Sequence, residues 1–533
     1  MDTTFLSLLY PTSESRDRQL SGEGVPHITL EVAEELGLTR LIPLKNSVIT
    51  DYFTSDPEVM AYRAATLADM EKHPALGETL SRLLPILSDI EELRRLDRAR
   101  GENAGESYLY SITEIELYVT CIDTLYAGLS SLREELTSPA FSTLADFVIS
   151  LAEGDYYREL NESLKKLASR ASEIHSVTIG VNLDAEFRPV EAGVLSLNAD
   201  TFKGGRVLDK ILRMSWKNDS MTTIAPLTPV VGKSDHMREA MVSAFRGAIE
   251  EVFRTSVRAW RGIVGGYVLE KTDFLLRLLP EIEFVTRVTA LTETLTQKGY
   301  PLTYPTILPK EEKGFSAVGL YNPDVALRIE GAVVENDLAF DENAHIYVLT
   351  GPNRGGKSVI TCALGLAQGM AQLGMRVPAR EASLSVVDGI YTHFPEGAED
   401  TIDKGRLGEE CARLRDIFDH ASGESMILLD ESLSSTGAYE AAFIASEILA
   451  GFAILGCRGI FSTHLHDLAA GVDEINARVA PYGGVKLDTL VAGIEEGERS
   501  FRIHRTKPDG KSYARDIAEK YGLSLEETLR HLS

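Results

Sequence analysis

Apolar residues recur three and four positions apart through "DPEVMAYRAATLADMEKHPALGETLSRLLPILSDIEELRRLDRAR", from Asp56 to about Arg100. That spacing gathers them on one face of a 3.6-residue helix. Asp56 ahead of Pro57 is a start signal, because proline at the first helical position gives up no hydrogen bond. The same period predicts helix across Ser111–Leu136 and Ser142–Ser172. It gives way at Ser176–Asn198, "SVTIGVNLDAEFRPVEAGVLSLN", which is β-branched, partly alternating and punctuated by Gly and Pro; strands and turns are predicted there. Helical spacing returns over Ser234–Leu279, with Met237, Met241, Phe245, Ile249 and Phe253 along one face. Unbroken, such a helix is about 65–70 Å long, and Gly262, Gly265 and Gly266 are places for it to bend. Long helices interrupted by a small β-rich insertion predict a core with a lever.

Prolines in "YPLTYPTILPKEEKG" (Tyr300–Gly314) break the helical pattern. From about Glu330 short apolar runs alternate with helical segments: Ile346–Thr350, Ser383–Val387, Met426–Leu429 and Gly459–Ser462. Such alternation predicts a largely parallel sheet covered on both faces. The expected plan is multidomain. A short N-terminal segment (1–50) precedes an α-helical core and lever domain (51–329) with a β-containing insertion at about 177–231. An α/β domain (330–533) follows.

Composition narrows the class. Apolar content of 44% and charged content of 25% in 533 residues are those of a soluble globular protein of two or three domains. The net charge of −26 is shared between the parts before and after residue 330, so neither is a basic nucleic-acid module by bulk charge. Any DNA contact must come from a local patch. The best one is "FKGGRVLDKILRMSWKNDS", with Lys203, Arg206, Lys210, Arg213 and Lys217. The last four share one helical face and suit sequence-independent phosphate binding; a solvated helix face has the same pattern. Arg94, Arg95, Arg98 and Arg100, interleaved with Glu91, Glu92 and Asp97, read as an intrahelical salt-bridge set. Cys121, Cys362, Cys411 and Cys457 are scattered without metal spacing and read as free thiols. The start lacks a secretory pattern, and the apolar window Ala441–Cys457 is interrupted by Glu447 and too short for a span. A soluble cytoplasmic protein without membrane contact is expected.

The chemistry is concentrated in "HIYVLTGPNRGGKSVI" (His345–Ile360). A strand, the pattern GxxxxGK[ST] with Gly351, Gly356, Lys357 and Ser358, and a helix follow one another. Glycines let backbone N–H groups converge on phosphate oxygens at a helix tip. Lys357 suits the β and γ phosphates, and the Ser358 hydroxyl suits Mg²⁺. Downstream, "MILLDES" ends an apolar strand in Asp430 and Glu431, a metal carboxylate and a candidate base for the attacking water. "FSTHLHDL" ends another strand at His464, placed to sense the γ phosphate.

These segments, with "RVPAREASLSVVDGIYTHF", "GRLGEE" and "DGKSYARDIA", stand in the order of the ATPase domain of the MutS mismatch-repair family, which the chain resembles from about Glu330 to Leu523. "LPEIEFVTRVTALTETL" and the helices before it are more loosely similar to that family's core and lever. The insertion sits where the family inserts its DNA clamp. The resemblance implies an ABC/MutS-type P-loop fold with ATP and Mg²⁺. It assigns Gly351, Pro352, Asn353, Arg354, Gly355, Gly356, Lys357 and Ser358 to phosphates and metal, Asp430 to the metal, Glu431 and Lys357 to hydrolysis and His464 to the switch. Val333, Val334 and Asn336 fall where the family holds the adenine, Val333 replacing an aromatic. Arg505 lies where a ring is usual on the other side, its guanidinium able to stack.

Other departures bear on function. "DESLSSTGAYE" keeps Thr436 but has Gly437 where the family's serine reaches the partner's nucleotide, so Ser434 or Ser435 on a shifted loop, with Thr436, are the trans-subunit candidates. "GRLGEE" puts Glu409 and Glu410 where hydroxyls are usual, so slow turnover is expected. About fifty residues precede the core-like helices, without the family's Phe-x-Glu wedge, so a shortened form without mismatch discrimination is expected. Two readings stand: a homodimeric ATP-dependent clamp on double-stranded DNA in repair or recombination, or an ATP-driven switch whose lever binds a protein partner.

Overall fold

The computed structural model describes residues 5–100, 106–172, 176–186, 189–198, 273–394, 406–495 and 498–508. The chain divides into two compact units. One comprises Met1–Gly77, Leu136–Phe141 and Pro280–Ser533; the other comprises Glu78–Glu135 and Ser142–Leu279.

The second unit is mainly helical. It is built from Pro74–Arg100 beyond its first turn, Glu106–Leu129, most of Pro139–Ala152, Asp155–Ser172 and the start of Asp273–Gln297. The predicted stripe is buried: Leu80, Leu83, Leu87 and Ile90 on one helix, Tyr118, Ile122 and Leu125 on the next. The 56–100 stretch is two helices, because Pro74 follows His73 and cannot continue the Pro57–Lys72 helix. Asp56 caps that first helix through the amide of Glu58 at 2.9 Å. Arg94 corrects the intrahelical reading of its cluster: it spans three helices, donating to Glu114 at 2.8 Å and to Asp273 at 2.6 Å. Arg95 does stay on its own helix, 3.8 Å from Glu92. The β-rich segment is an antiparallel pair, β1 (Ser176–Leu183) and β2 (Pro189–Asn198), with Val181 opposite Ala192. The rest of the expected insertion, with Lys203, Arg206, Lys210, Arg213 and Lys217, and residues 234–272 of the expected long helix lie outside the described residues.

The first unit carries two sheets. β3 (Thr306–Leu308), β4 (Phe315–Leu320), β5 (Asn336–Phe340) and β7 (Glu381–Ser385) form one, in the order β3-β7-β4-β5. The six-stranded sheet contains β6 (Ile346–Thr350), β8 (Ile390–His393), β9 (Met426–Asp430), β10 (Arg458–Ser462), β11 (Leu487–Glu495) and β12 (Glu498–Arg505). Its order is β12-β11-β6-β10-β9-β8, parallel from β11 to β8 with β12 antiparallel at the edge. All five residues of β6, of β9 and of β10 are buried, the near-continuous burial of strands covered on both faces. The run at Ser383–Val387 is the exception to the expected parallel sheet. It forms β7 of the smaller sheet, antiparallel to β4, while β8 supplies the parallel edge.

Helix Lys357–Gln372 lies against the six-stranded sheet. A side chain at Gly365 would come within 2.6 Å of both Leu36 and Leu428, so only glycine permits that approach. Helix Ala438–Leu455 belongs to the core around β9 and β10, burying Ala441, Ala445, Leu449, Phe452 and Ala453 while Tyr439 and Phe443 are exposed. It is the one helix among the described residues long and apolar enough to cross a membrane, and one of its faces is committed to this core. Arg458, fully buried on β10, ties the two sheets by donating to the carbonyls of Gly314, Ser385 and Val386 at 2.9–3.0 Å. The N-terminal residues are held by two carboxylates of one helix. Glu281 accepts from the Ser7 hydroxyl and the Leu8 amide (2.6 Å), and Glu283 accepts from the amides of Lys45 and Asn46, both at 2.9 Å.

Candidate functional site

β6 ends at Thr350, and the chain turns through Gly351–Ser358 into helix Lys357–Gln372. The turn requires its glycines. Gly351 has φ +139°, and a Cβ there would lie 2.7 Å from the Cβ of Ala492. Gly356, at φ +92°, is the N-cap, and no side chain caps the helix. The first amides of the helix are therefore left to a ligand. The Gly355 amide donates to the Pro352 carbonyl at 3.0 Å and closes the loop. Asn353 and Arg354 are exposed, and Arg354 has φ +60°. Left-handed backbone costs a residue with a Cβ about 1 kcal/mol.

Lys357 is buried and folded back over the loop, its Nζ donating to the carbonyls of Gly351 at 3.2 Å and Pro352 at 3.3 Å. Burial lowers its pKa, opposed by Glu431 and Asp430. Asp430 ends β9, beside the helix start, and accepts from the Ser462 hydroxyl, with the Ser358 hydroxyl near its carboxylate. Burial raises its pKa, and those two hydroxyls oppose the rise. A hydroxyl beside a buried carboxylate is a hard-oxygen donor pair, which fits Mg²⁺. Glu431 follows at φ 46°, its amide bonded to the Ser462 carbonyl at 2.8 Å. Beyond it, Ser432 is locked to His393 of β8 through a 2.8 Å hydrogen bond.

Lys357, Ser358 and Glu431 line one end of a cavity of about 450 Å³. The walls away from them are mostly apolar, with Val325, Ile329, Val333, Val334 and Phe501. Asn336 also lines the cavity, but its amide is engaged with β12: it donates to the Phe501 carbonyl at 3.2 Å and accepts from the Ile503 amide at 2.7 Å. The rings in the lining are Phe501 and Tyr321. Arg505 is absent from the lining; its guanidinium is gripped by Asp341 at 2.7 Å and Asp488 at 2.6 Å and lies over Tyr347. The sequence carried no signal for Phe501, because its φ of 57° breaks the alternation of the strand.

Other expected site residues stand apart from the cavity. His464 is exposed and does not line it. His466, two residues on, places its Nδ1 3.3 Å from the Thr350 hydroxyl, at the strand end that feeds the loop. Ser434 and Ser435 are exposed beyond β9, and Thr436 donates to Glu440 at 2.6 Å.

Strand, glycine turn, lysine at the helix start and paired carboxylates at the end of β9, one strand removed from β6 across β10, define a protein of the P-loop class. Residues 347–505 match the family model described as MutS domain V, and residues 55–297 match the one described as MutS2 N-terminal domain. The chain is 30% identical over 262 residues to the DNA mismatch repair protein MutS of Shouchella clausii, covering 48% of this chain and 28% of that protein. It is 38% identical over 247 residues to the DNA mismatch repair protein MutS of Synechococcus sp. strain CC9605, covering 44% and 25%. A third, from Chloroflexus aurantiacus, is 33% identical over 213 residues, covering 38% and 21%. The matches thus span about a quarter of those proteins' length. The chain is a MutS-like relative.

Proposed function

We infer that this chain binds and hydrolyses ATP with Mg²⁺ and uses the bound triphosphate to control a grip on double-stranded DNA. The observation that carries the first part is the convergence of Lys357, Ser358 and Glu431 on a cavity with apolar walls, with the buried Asp430 beside them behind the lining. Phosphates fit the amides of the Gly351–Ser358 loop, and the base fits between Phe501 and the aliphatic side at Val333. Lys357 exchanges its two carbonyl partners for phosphate oxygens. Ser358 and Asp430 hold the Mg²⁺, which when bound draws charge from the phosphate oxygens. Glu431 orients the attacking water and accepts its proton.

The DNA part is supported by the relatives named for DNA mismatch repair. We assign the helical core and lever to residues 51–329, the duplex contact to Lys203, Arg206, Lys210, Arg213 and Lys217 in the insertion, and the nucleotide-binding domain to residues 330–533. Two copies assemble as a homodimer, with Ser434, Ser435 and Thr436 facing the partner's nucleotide. A net charge of −26 favours a second reading, in which the lever binds a protein. Duplex binding measured over a salt series, with ATP, a nonhydrolysable analogue and no nucleotide, decides between them. Absence of binding at low salt in every nucleotide state removes the DNA reading.

A further inference from the structure

Among the described residues lining the cavity, the cations are Lys357 and Arg354. Lys357 is engaged with two loop carbonyls and stands 3.9 Å from Glu431. Arg354 makes no hydrogen bond or ion pair with any described residue. That is unusual in a chain with 80 acidic against 54 basic residues. Arg94, Arg380 and Arg505 each grip a carboxylate, and Arg458 is engaged with three carbonyls. Arg354 also holds a left-handed φ of 60° beside two glycines, where glycine itself would fit without strain. A strained position that retains a long, unpaired cation facing a cavity points to use of its side chain.

We propose that Arg354 is an arginine finger carried by the phosphate loop itself, acting on the same nucleotide that the loop binds. The inference rests on the ATPase reading above and adds the source of transition-state charge stabilisation. In the reaction, a water oxygen bonds to the γ phosphorus and the bond from that phosphorus to the β–γ bridging oxygen breaks. The bond's electron pair stays on the β phosphate of ADP, and the proton from water passes to Glu431. Negative charge grows on the bridging and γ oxygens. A planar guanidinium can donate to both at once, which an ammonium cannot. The inference also fits Gly437 and the exposed Ser434 and Ser435, none of which lines the cavity. The extra charge-stabilising group comes from the loop's own fourth residue.

The test compares Arg354→Gly, which suits the backbone, and Arg354→Lys with the wild type. Three quantities are measured: nucleotide affinity, steady-state turnover, and trapping of ADP by aluminium fluoride with Mg²⁺, a mimic of the transferring phosphoryl group. The expected result is ADP affinity within about threefold of wild type, kcat lower by a hundredfold or more in both variants, and loss of trapping. A wild type that binds no nucleotide overturns the underlying ATPase reading. Nucleotide binding with unchanged kcat and unchanged trapping overturns the role of Arg354 alone. A loss confined to ground-state affinity also overturns it, since that makes Arg354 a binding residue. Mixing Arg354→Gly with Lys357→Ala subunits is expected to restore no turnover; activity above the sum of the two overturns action within one site.

Discussion

The Nζ of Lys357 lies 3.9 Å from Oε1 of Glu431. The two charges come from the first residue of a helix and from the residue after a strand, 74 positions apart in the chain, and the fold brings them to one end of a cavity. In the proposed reaction one group handles phosphate and the other handles water.

Removing either charge separates these roles. Lys357→Ala is expected to abolish ATP binding, because the ammonium is the buried cation of the loop. Glu431→Ala is expected to keep ATP affinity within a few fold and lower turnover by a hundredfold or more. Isothermal titration and phosphate release measure the two. Equal nucleotide affinity in wild type and Lys357→Ala removes the assignment.

Asp430 accepts from the Ser462 hydroxyl with Ser358 beside it, and its proposed role is to complete an oxygen donor pair. Asp430→Asn keeps the shape and loses the charge. Its nucleotide affinity is expected to become indifferent to Mg²⁺, whereas that of the wild type rises with the metal. Titration of ATP with and without EDTA reads the difference.

Phe501 is an aromatic residue of the cavity wall, with Tyr321 the other. Phe501→Ala is expected to weaken ATP by about 1–2 kcal/mol, roughly tenfold, and to leave tripolyphosphate binding unaltered. An equal loss for both ligands means the ring supports the loop and not the base.

Burial pushes the Glu281 carboxyl up to about 7, against the opposing hydrogen bonds from Leu8 and Ser7. An acid whose folded pKa lies above its unfolded value of about 4.5 binds more protons when folded across that interval. The stability it contributes is therefore full below pH 4.5 and is lost as pH rises through 7, by on the order of 3 kcal/mol. Glu281→Gln retains a side-chain acceptor and is expected to flatten that slope. Urea unfolding from pH 5 to pH 8.5 compares the two; identical slopes remove the effect.

Duplex affinity is expected to fall steeply with salt and to drop when Lys210 and Arg213 are changed together to alanine. The log–log salt slope should then become shallower by about two, one for each phosphate that no longer meets a cation. An unchanged slope moves the duplex-binding surface elsewhere.

The difference between Phe501 and Arg505 shows where reading by sequence stopped. In a regular strand, residues 501, 503 and 505 share a face. Here Phe501 is left-handed, and the pairing of β11 with β12 shifts register between Ala492 and Ile494. Backbone geometry, not spacing, decided that the phenyl ring lines the cavity and that Arg505 grips Asp341 and Asp488. His464 and His466 differ in the same way: both follow β10, and the turn between them set which one approaches Thr350.

The order of residues alone determined whatever is local: helices with their 3.6-residue period, the buried strands, the glycine turn before Lys357, and Asp430 with Glu431 at a strand end. These follow from steric preference and from amides consecutive in the chain. Tertiary structure alone decided the partners that sequence separation hides. Glu281 and Glu283 hold backbone amides more than two hundred residues away, Arg458 joins two sheets through carbonyls, and β7 leaves the parallel sheet for the smaller one. A backbone amide or carbonyl is the same group in every residue except proline, so no pattern of side chains announces which one a buried charge will find.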